Sequence, residues 1–93
     1  MTENITTKKN DNLQDKSLLL VDDDNPFRER LARAMEKKGF TVSQADGVKK
    51  GIEIAKLKKP IFAVVDLRLN DGNGLEVVKE IQKNKSDSRI IML

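Results

Sequence analysis

Four carboxylates stand out by where they fall in the chain. Asp22, Asp23 and Asp24 close the apolar run SLLLV at residues 17–21, and Asp66 closes a second apolar run, IFAVV, at residues 61–65. Acids gathered at one place repel each other, and each unit of pKa shift is worth about 1.4 kcal/mol. A hard divalent cation relieves that repulsion. Mg²⁺ prefers oxygen ligands in octahedral geometry, keeps several waters, and is commonly held by one or two carboxylates plus a phosphate. The chemistry to expect is phosphoryl transfer, where positioning and charge neutralisation do most of the catalysis. A carboxylate can itself be the nucleophile there, forming an aspartyl phosphate. An acid after a strand is also a common N-cap of the next helix, and Asp24 or Asn25 suits that task. A cap needs one such residue, which leaves Asp22 and Asp23 for chemistry.

These acids need elements to position them. Residues 17–21 and 61–65 are short, continuous apolar runs, the pattern of strands buried on both faces. Between them, Asn25-Pro26 starts a helix in which Phe27, Leu31, Ala34 and Met35 recur at helical spacing while Arg28, Glu29, Arg33 and Lys37 face water. Gly39 stands where a helix end favours a left-handed residue. Residues 40–45 (FTVSQA) alternate as a more exposed strand. Asp46 can cap a second helix carrying Val48, Ile52 and Ala55 on one face, and Pro60 stops it. After Asp66 comes the turn NDGNG, whose Asp71-Gly72 and Asn73-Gly74 read as turn formers. A helix with Leu75, Val78 and Ile81 inward follows, and RIIML at residues 89–93 opens a fourth strand. Strands alternating with helices in this order predict an α/β fold on a parallel sheet. Ligands in such sheets bind beyond the strand carboxyl ends where strand order reverses. The acids converge there if the first and third strands are neighbours.

Composition narrows the field. The 93-residue chain allows one small domain, and residues 1–15 are too polar to offset their ordering entropy, so they are expected to form a disordered tail. The net charge of +3 comes from basic residues interspersed with acids, as on a solvated helix face rather than a nucleic-acid footprint. The chain has no Cys and no His, which excludes disulfides, Cys-based zinc sites and a phosphohistidine within it. No apolar run approaches the ~20 residues of a membrane span, so a cytoplasmic protein without membrane contact is expected.

The segments LLLVDDDNPFRERL and VVDLRLNDGNGLEVV resemble the response-regulator receiver domain of two-component systems, from about Lys16 to the last residue. Within that family the likeness is strongest to the redox and photosynthesis regulators RegA, PrrA and ActR, through VVDLRLNDGNGL and LARAMEKKGF. The resemblance implies a flavodoxin-like (CheY-like), doubly wound parallel sheet. It implies that Asp66 accepts phosphate from a sensor histidine kinase, and that Mg²⁺ is held by Asp22, Asp23, Asp66 and the backbone carbonyl of Arg68. It implies a signalling module that is not an enzyme acting on other substrates, with a homodimer possible and DNA reached only through a C-terminal output domain.

Receivers of this family carry a Thr or Ser after the fourth strand and a Lys after the fifth. Neither motif position falls within these 93 residues, so the chain is expected to be an incomplete receiver, marginally stable and prone to associate through RIIML. Two alternatives stand beside this reading. The first is a haloacid-dehalogenase-like phosphohydrolase with Asp22 as nucleophile and Asp24 as acid/base, although Pro26 departs from that pattern. The second is a binding piece that does not turn over phosphate.

Overall fold

The computed structural model describes residues 15–93. The expected disordered tail, residues 1–15, therefore lies outside the described residues except for Asp15, which accepts a hydrogen bond from the Ser17 amide at 2.8 Å. The elements run β1 (Ser17–Val21), α1 (Asn25–Lys37), β2 (Thr41–Ala45), α2 (Val48–Lys58), β3 (Phe62–Val65), β4 (Arg68–Leu69), β5 (Gly72–Asn73), α3 (Leu75–Asn84) and β6 (Arg89–Met92). Four strands form one parallel sheet in the order β2-β1-β3-β6. β4 and β5 pair antiparallel as a small separate hairpin where a turn was expected.

The period-two alternation of the strands assigns the two faces of the sheet. Leu19, Val21, Ala63 and Val65 point to the face covered by α2 and α3, where they meet Val48, Ala55, Val77, Val78 and Ile81 in the larger core. Leu18 and Leu20 point the other way, onto Ala32 of α1, with Leu31, Met35, Phe40, Val42, Phe62 and Val64 around them. Helices on both faces make the sheet doubly wound. The α1 face is less completely covered. A groove of about 330 Å³, lined by Leu18, Met35, Phe40, Phe62, Val64 and Ile90 among others, lies open beside α1. β6 is an edge strand with Ile91, Met92 and Leu93 exposed.

Several local expectations are met with adjustments. Asp24, not Asn25, is the cap of α1, and its carboxylate accepts from the Phe27 amide at 3.1 Å. Gly39 follows α1 with φ +97°, as the left-handed position requires. The inward side of α1 is centred on Ala32, with Leu31 and Met35 half-buried, while Phe27 and Ala34 are exposed. Arg28, expected in water, is folded back against the sheet end and its side chain is 11% exposed. Asp46 does not cap α2, whose N-cap is Gly47. Leu75 is 42% exposed, and Val77 takes the inward place in α3 beside Val78 and Ile81. Leu75 is the first residue of the helix, one turn before the buried stripe is complete.

Candidate functional site

β1 and β3 are adjacent, and they straddle the point where the sheet order reverses. The ladder continues one residue past each strand. The Asp22 amide donates to the Ala45 carbonyl at 3.1 Å, and the Asp66 amide donates to the Val21 carbonyl at 2.8 Å. Both acids are thereby fixed on the rim of the sheet by backbone bonds, before any side-chain contact is made. Asp22, Asp23 and Asp66 each present a carboxylate oxygen, and these three atoms lie within 4.8 Å of one another. The convergence foreseen from the strand ends is present. Asp24 stands outside this group, occupied with its helix.

The environment of the three acids is uneven. Asp22 is buried at 8% exposure, while Asp23 and Asp66 are half-buried. Burial pushes the Asp22 carboxyl above the usual carboxylate range, and the nearby charges of Asp66, Asp23 and Asp24 push the same way. The Asp24 amide, donating to Asp22 Oδ1 at 2.9 Å, offsets part of this. A crowded, partly desolvated group of carboxylates suits a bound cation. Three hard oxygen donors at this spacing, open to solvent on the Asp23 and Asp66 side, fit a divalent ion that retains waters. Asp66 is held by its own turn, since the Arg68 amide donates to Oδ1 at 3.0 Å and Oδ2 is left for chemistry. Arg68 opens β4, so its backbone belongs to the same turn, while its side chain is exposed.

Three residues that the sequence did not single out for the site support it. Arg28 donates from Nη1 to the Asp22 carbonyl and to Asn25 Oδ1, both at 2.7 Å, and from Nε to Gln44 Oε1 at 2.9 Å. One side chain thus ties the acidic loop to its helix and to β2. Gly74 lies against the Asp66 backbone: a methyl group there would collide with the Asp66 carbonyl oxygen and come within 2.9 Å of Val65 Cγ1. Asp71 reaches across to α2, where Oδ1 accepts from the Val48 amide at 2.7 Å and Oδ2 from the Lys49 amide at 3.1 Å. Those two donors hold the Asp71 carboxyl below its ordinary range. The glycine of NG carried a turn signal only, and the position of Arg28 in the helical repeat pointed away from the site.

The chain matches known proteins along nearly all of its described residues. The family described as the response regulator receiver domain matches residues 18–93. The chain is 56% identical over 79 residues to the photosynthetic apparatus regulatory protein RegA of Cereibacter sphaeroides, covering 85% of this chain and 43% of that protein. It is 54% identical over 79 residues to the acid tolerance regulatory protein ActR of Rhizobium meliloti, covering 85% and 41%. The chain thus spans about two fifths of the length of these curated relatives. Among solved structures it resembles a response regulator from Burkholderia pseudomallei with a phosphorylated aspartic acid, calcium ion and citrate, at TM-score 0.78 and 33% identity over 84% of this chain and 46% of that one. A CheY-like receiver domain protein from Methanospirillum hungatei also gives TM-score 0.78, at 25% identity over 85% of this chain and 63% of that one. The fold, the match along nearly all of the described residues and the level of identity agree, and this chain belongs to the response regulator receiver domain family.

Proposed function

We propose that this chain is a phosphoacceptor module of a two-component system, taking a phosphoryl group on Asp66 from a phosphohistidine of a sensor kinase. The observation that carries the reading is the meeting of the Asp22, Asp23 and Asp66 carboxylates at the β1 and β3 ends. Mg²⁺ is the ion we assign to that group, with Asp22, Asp23, Asp66 and the Arg68 carbonyl as the protein's donors. When bound, it supplies the positive charge that neutralises phosphoryl oxygens. Asp66 supplies the nucleophile. Its Oδ2 forms the bond to phosphorus while the donor's nitrogen–phosphorus bond breaks, and the Arg68 amide on Oδ1 keeps the carboxylate oriented. An ionised carboxylate needs no proton removed before attack, so the reaction asks for no general base, and the chain has no His to provide one.

The cellular setting belongs to the same proposal. We assign the protein to the cytoplasm, facing a sensor kinase, and to control of transcription through a DNA-binding output domain; RegA and ActR are themselves named as regulatory proteins. Among the described residues no helix is long and apolar enough to cross a membrane. A homodimer is a second partnership within the same proposal. The haloacid-dehalogenase reading is not favoured, because Asp24 caps α1 and is not one of the three converging acids.

Labelling with a small phosphodonor such as acetyl phosphate tests the reading. Intact-mass analysis is expected to show one phosphoryl group with Mg²⁺, none after EDTA treatment, and none in Asp66→Asn. The yield should be low, since the Thr or Ser and the Lys that assist in whole receivers are not among these residues. Labelling that persists in Asp66→Asn and vanishes in Asp22→Asn would restore the hydrolase reading.

A further inference from the structure

The hairpin after β3 has an unusual burden. Its strands are two residues each, yet it follows directly on Asp66 and includes Arg68. A hairpin this short has no independent stability in water. Its base is fixed by the Gly74 amide donating to the Leu67 carbonyl at 2.9 Å, and buried Leu69 anchors one side. Its tip, Asn70-Asp71, is exposed, and the Asp71 side chain bonds it to α2. Asp71 takes the first two amides of α2, a helix whose own N-cap, Gly47, has no side chain to offer. The approach is close. A Cβ on Gly47 would lie 2.7 Å from Asp71 Oδ1.

The clamp also connects the two acidic loops. The Asp22 amide bonds to the Ala45 carbonyl at the end of β2, and Val48, three residues on, donates to Asp71. From Asp71 the hairpin leads back to the Arg68 amide on Asp66. The junction of β2 with α2 is thus a fixed post to which both loops are tied.

We infer that Asp71 is a positioning residue for the phosphoryl-transfer site: by clamping the β4–β5 hairpin to the N-terminus of α2, it sets the Asp66–Arg68 turn at the spacing that a divalent cation needs. The inference rests on the proposed receiver function and adds to it a residue that touches neither metal nor phosphate. Outer partners that orient metal-binding groups commonly govern affinity about 10-fold or more.

Isothermal titration of the 93-residue chain with Mg²⁺ tests it, with urea unfolding run on each variant. Asp71→Ala is expected to weaken Mg²⁺ binding about 10-fold. Asp71→Asn, which keeps one acceptor oxygen, should recover part of that loss, and Gly47→Ala should weaken binding by pushing the clamp from the other side. Met35→Ala, on the opposite face of the sheet, lowers stability without touching the clamp and should bind Mg²⁺ as the parent does. Should Asp71→Ala destroy folding, Asp71→Asn and Gly47→Ala decide the matter. Mg²⁺ affinity within about twofold of the parent in these variants, or an equal loss in Met35→Ala, overturns the clamp while leaving the receiver site intact, provided Asp23→Asn abolishes binding. Absence of Mg²⁺ uptake by the parent chain overturns both.

Discussion

The loop after β1 and the hairpin after β3 end at neighbouring strand tips and deliver the same kind of residue, but they are tied down by different means. The first is held close to home. Asp24 caps the helix that follows it, the Asp24 amide returns to Asp22, and Arg28, one turn into α1, grips the Asp22 carbonyl. The second is held from a distance, by Asp71 on α2 and by the fit of Gly74 against Asp66. The first loop takes most of its ties from α1, with the Asp22 amide on Ala45 and Arg28 on Gln44 as its links to β2. The second is held only once β2, α2 and β3 have assembled, so the Asp66 turn leans more on distant contacts than the Asp22–Asp23 pair does.

That contrast can be broken at each end. Gly74→Ala should have the largest effect, since its methyl group meets backbone that cannot swing aside. A loss of about 3 kcal/mol in urea unfolding is expected, at the upper end for overpacking. Arg28→Ala removes three hydrogen bonds from a largely buried side chain and should cost about 2 kcal/mol in the same assay, within the range for bonds to a charged donor. Asp24→Ala deletes one cap and should cost about 1 kcal/mol, read most clearly as fraying of α1 in amide exchange. Loss of protection spreading to the β4–β5 hairpin in Asp24→Ala would show that the hairpin leans on the α1 cap as well as on α2.

Asp22→Asn should act with the opposite sign and the smallest size. The folded chain raises the Asp22 pKa above its unfolded value of about 3.9, so at neutral pH the ionised acid costs stability in the metal-free protein. Between the unfolded and folded pKa values the folded state binds more protons, and stability therefore rises as pH falls through that window. Asn at this position removes the penalty and should stabilise the metal-free chain by on the order of 0.5 kcal/mol at pH 7. The advantage should shrink as the pH approaches about 4, and saturating Mg²⁺ should reverse it. A pH-independent difference would place its origin in packing rather than charge.

The same division governs what could be read from the residues alone. The strands, the parallel order and the acid-bearing ends follow from runs and periods, because a strand buried on both faces leaves a continuous apolar signature that tolerates few alternatives. Asp24 as a cap was within reach because capping is a local rule. Arg28 and Asp71 were not, for a common reason: each bonds across the fold, Arg28 to Gln44 and Asp71 to Val48 and Lys49, and neither the helical repeat nor a turn-forming dipeptide encodes such a partner. Asp46 shows the cost of the local rule, since it stood near the capping position while the acceptor for the first amides of α2 came from Asp71, 23 residues beyond Val48. The placement of Leu75 and Ala34 inward failed similarly, because a three-helix cover on a narrow sheet buries only part of each apolar stripe.

The central claim is that Asp66 is the nucleophile of a site assembled with Asp22 and Asp23. The most direct measurement is to trap the acyl phosphate formed with acetyl phosphate and Mg²⁺ by borohydride reduction, and to locate the modified residue by peptide mass spectrometry. The account predicts reduction of Asp66 to homoserine, dependent on Mg²⁺ and lost in Asp23→Asn. Modification at Asp22 or Asp23 with Asp66 untouched would contradict it.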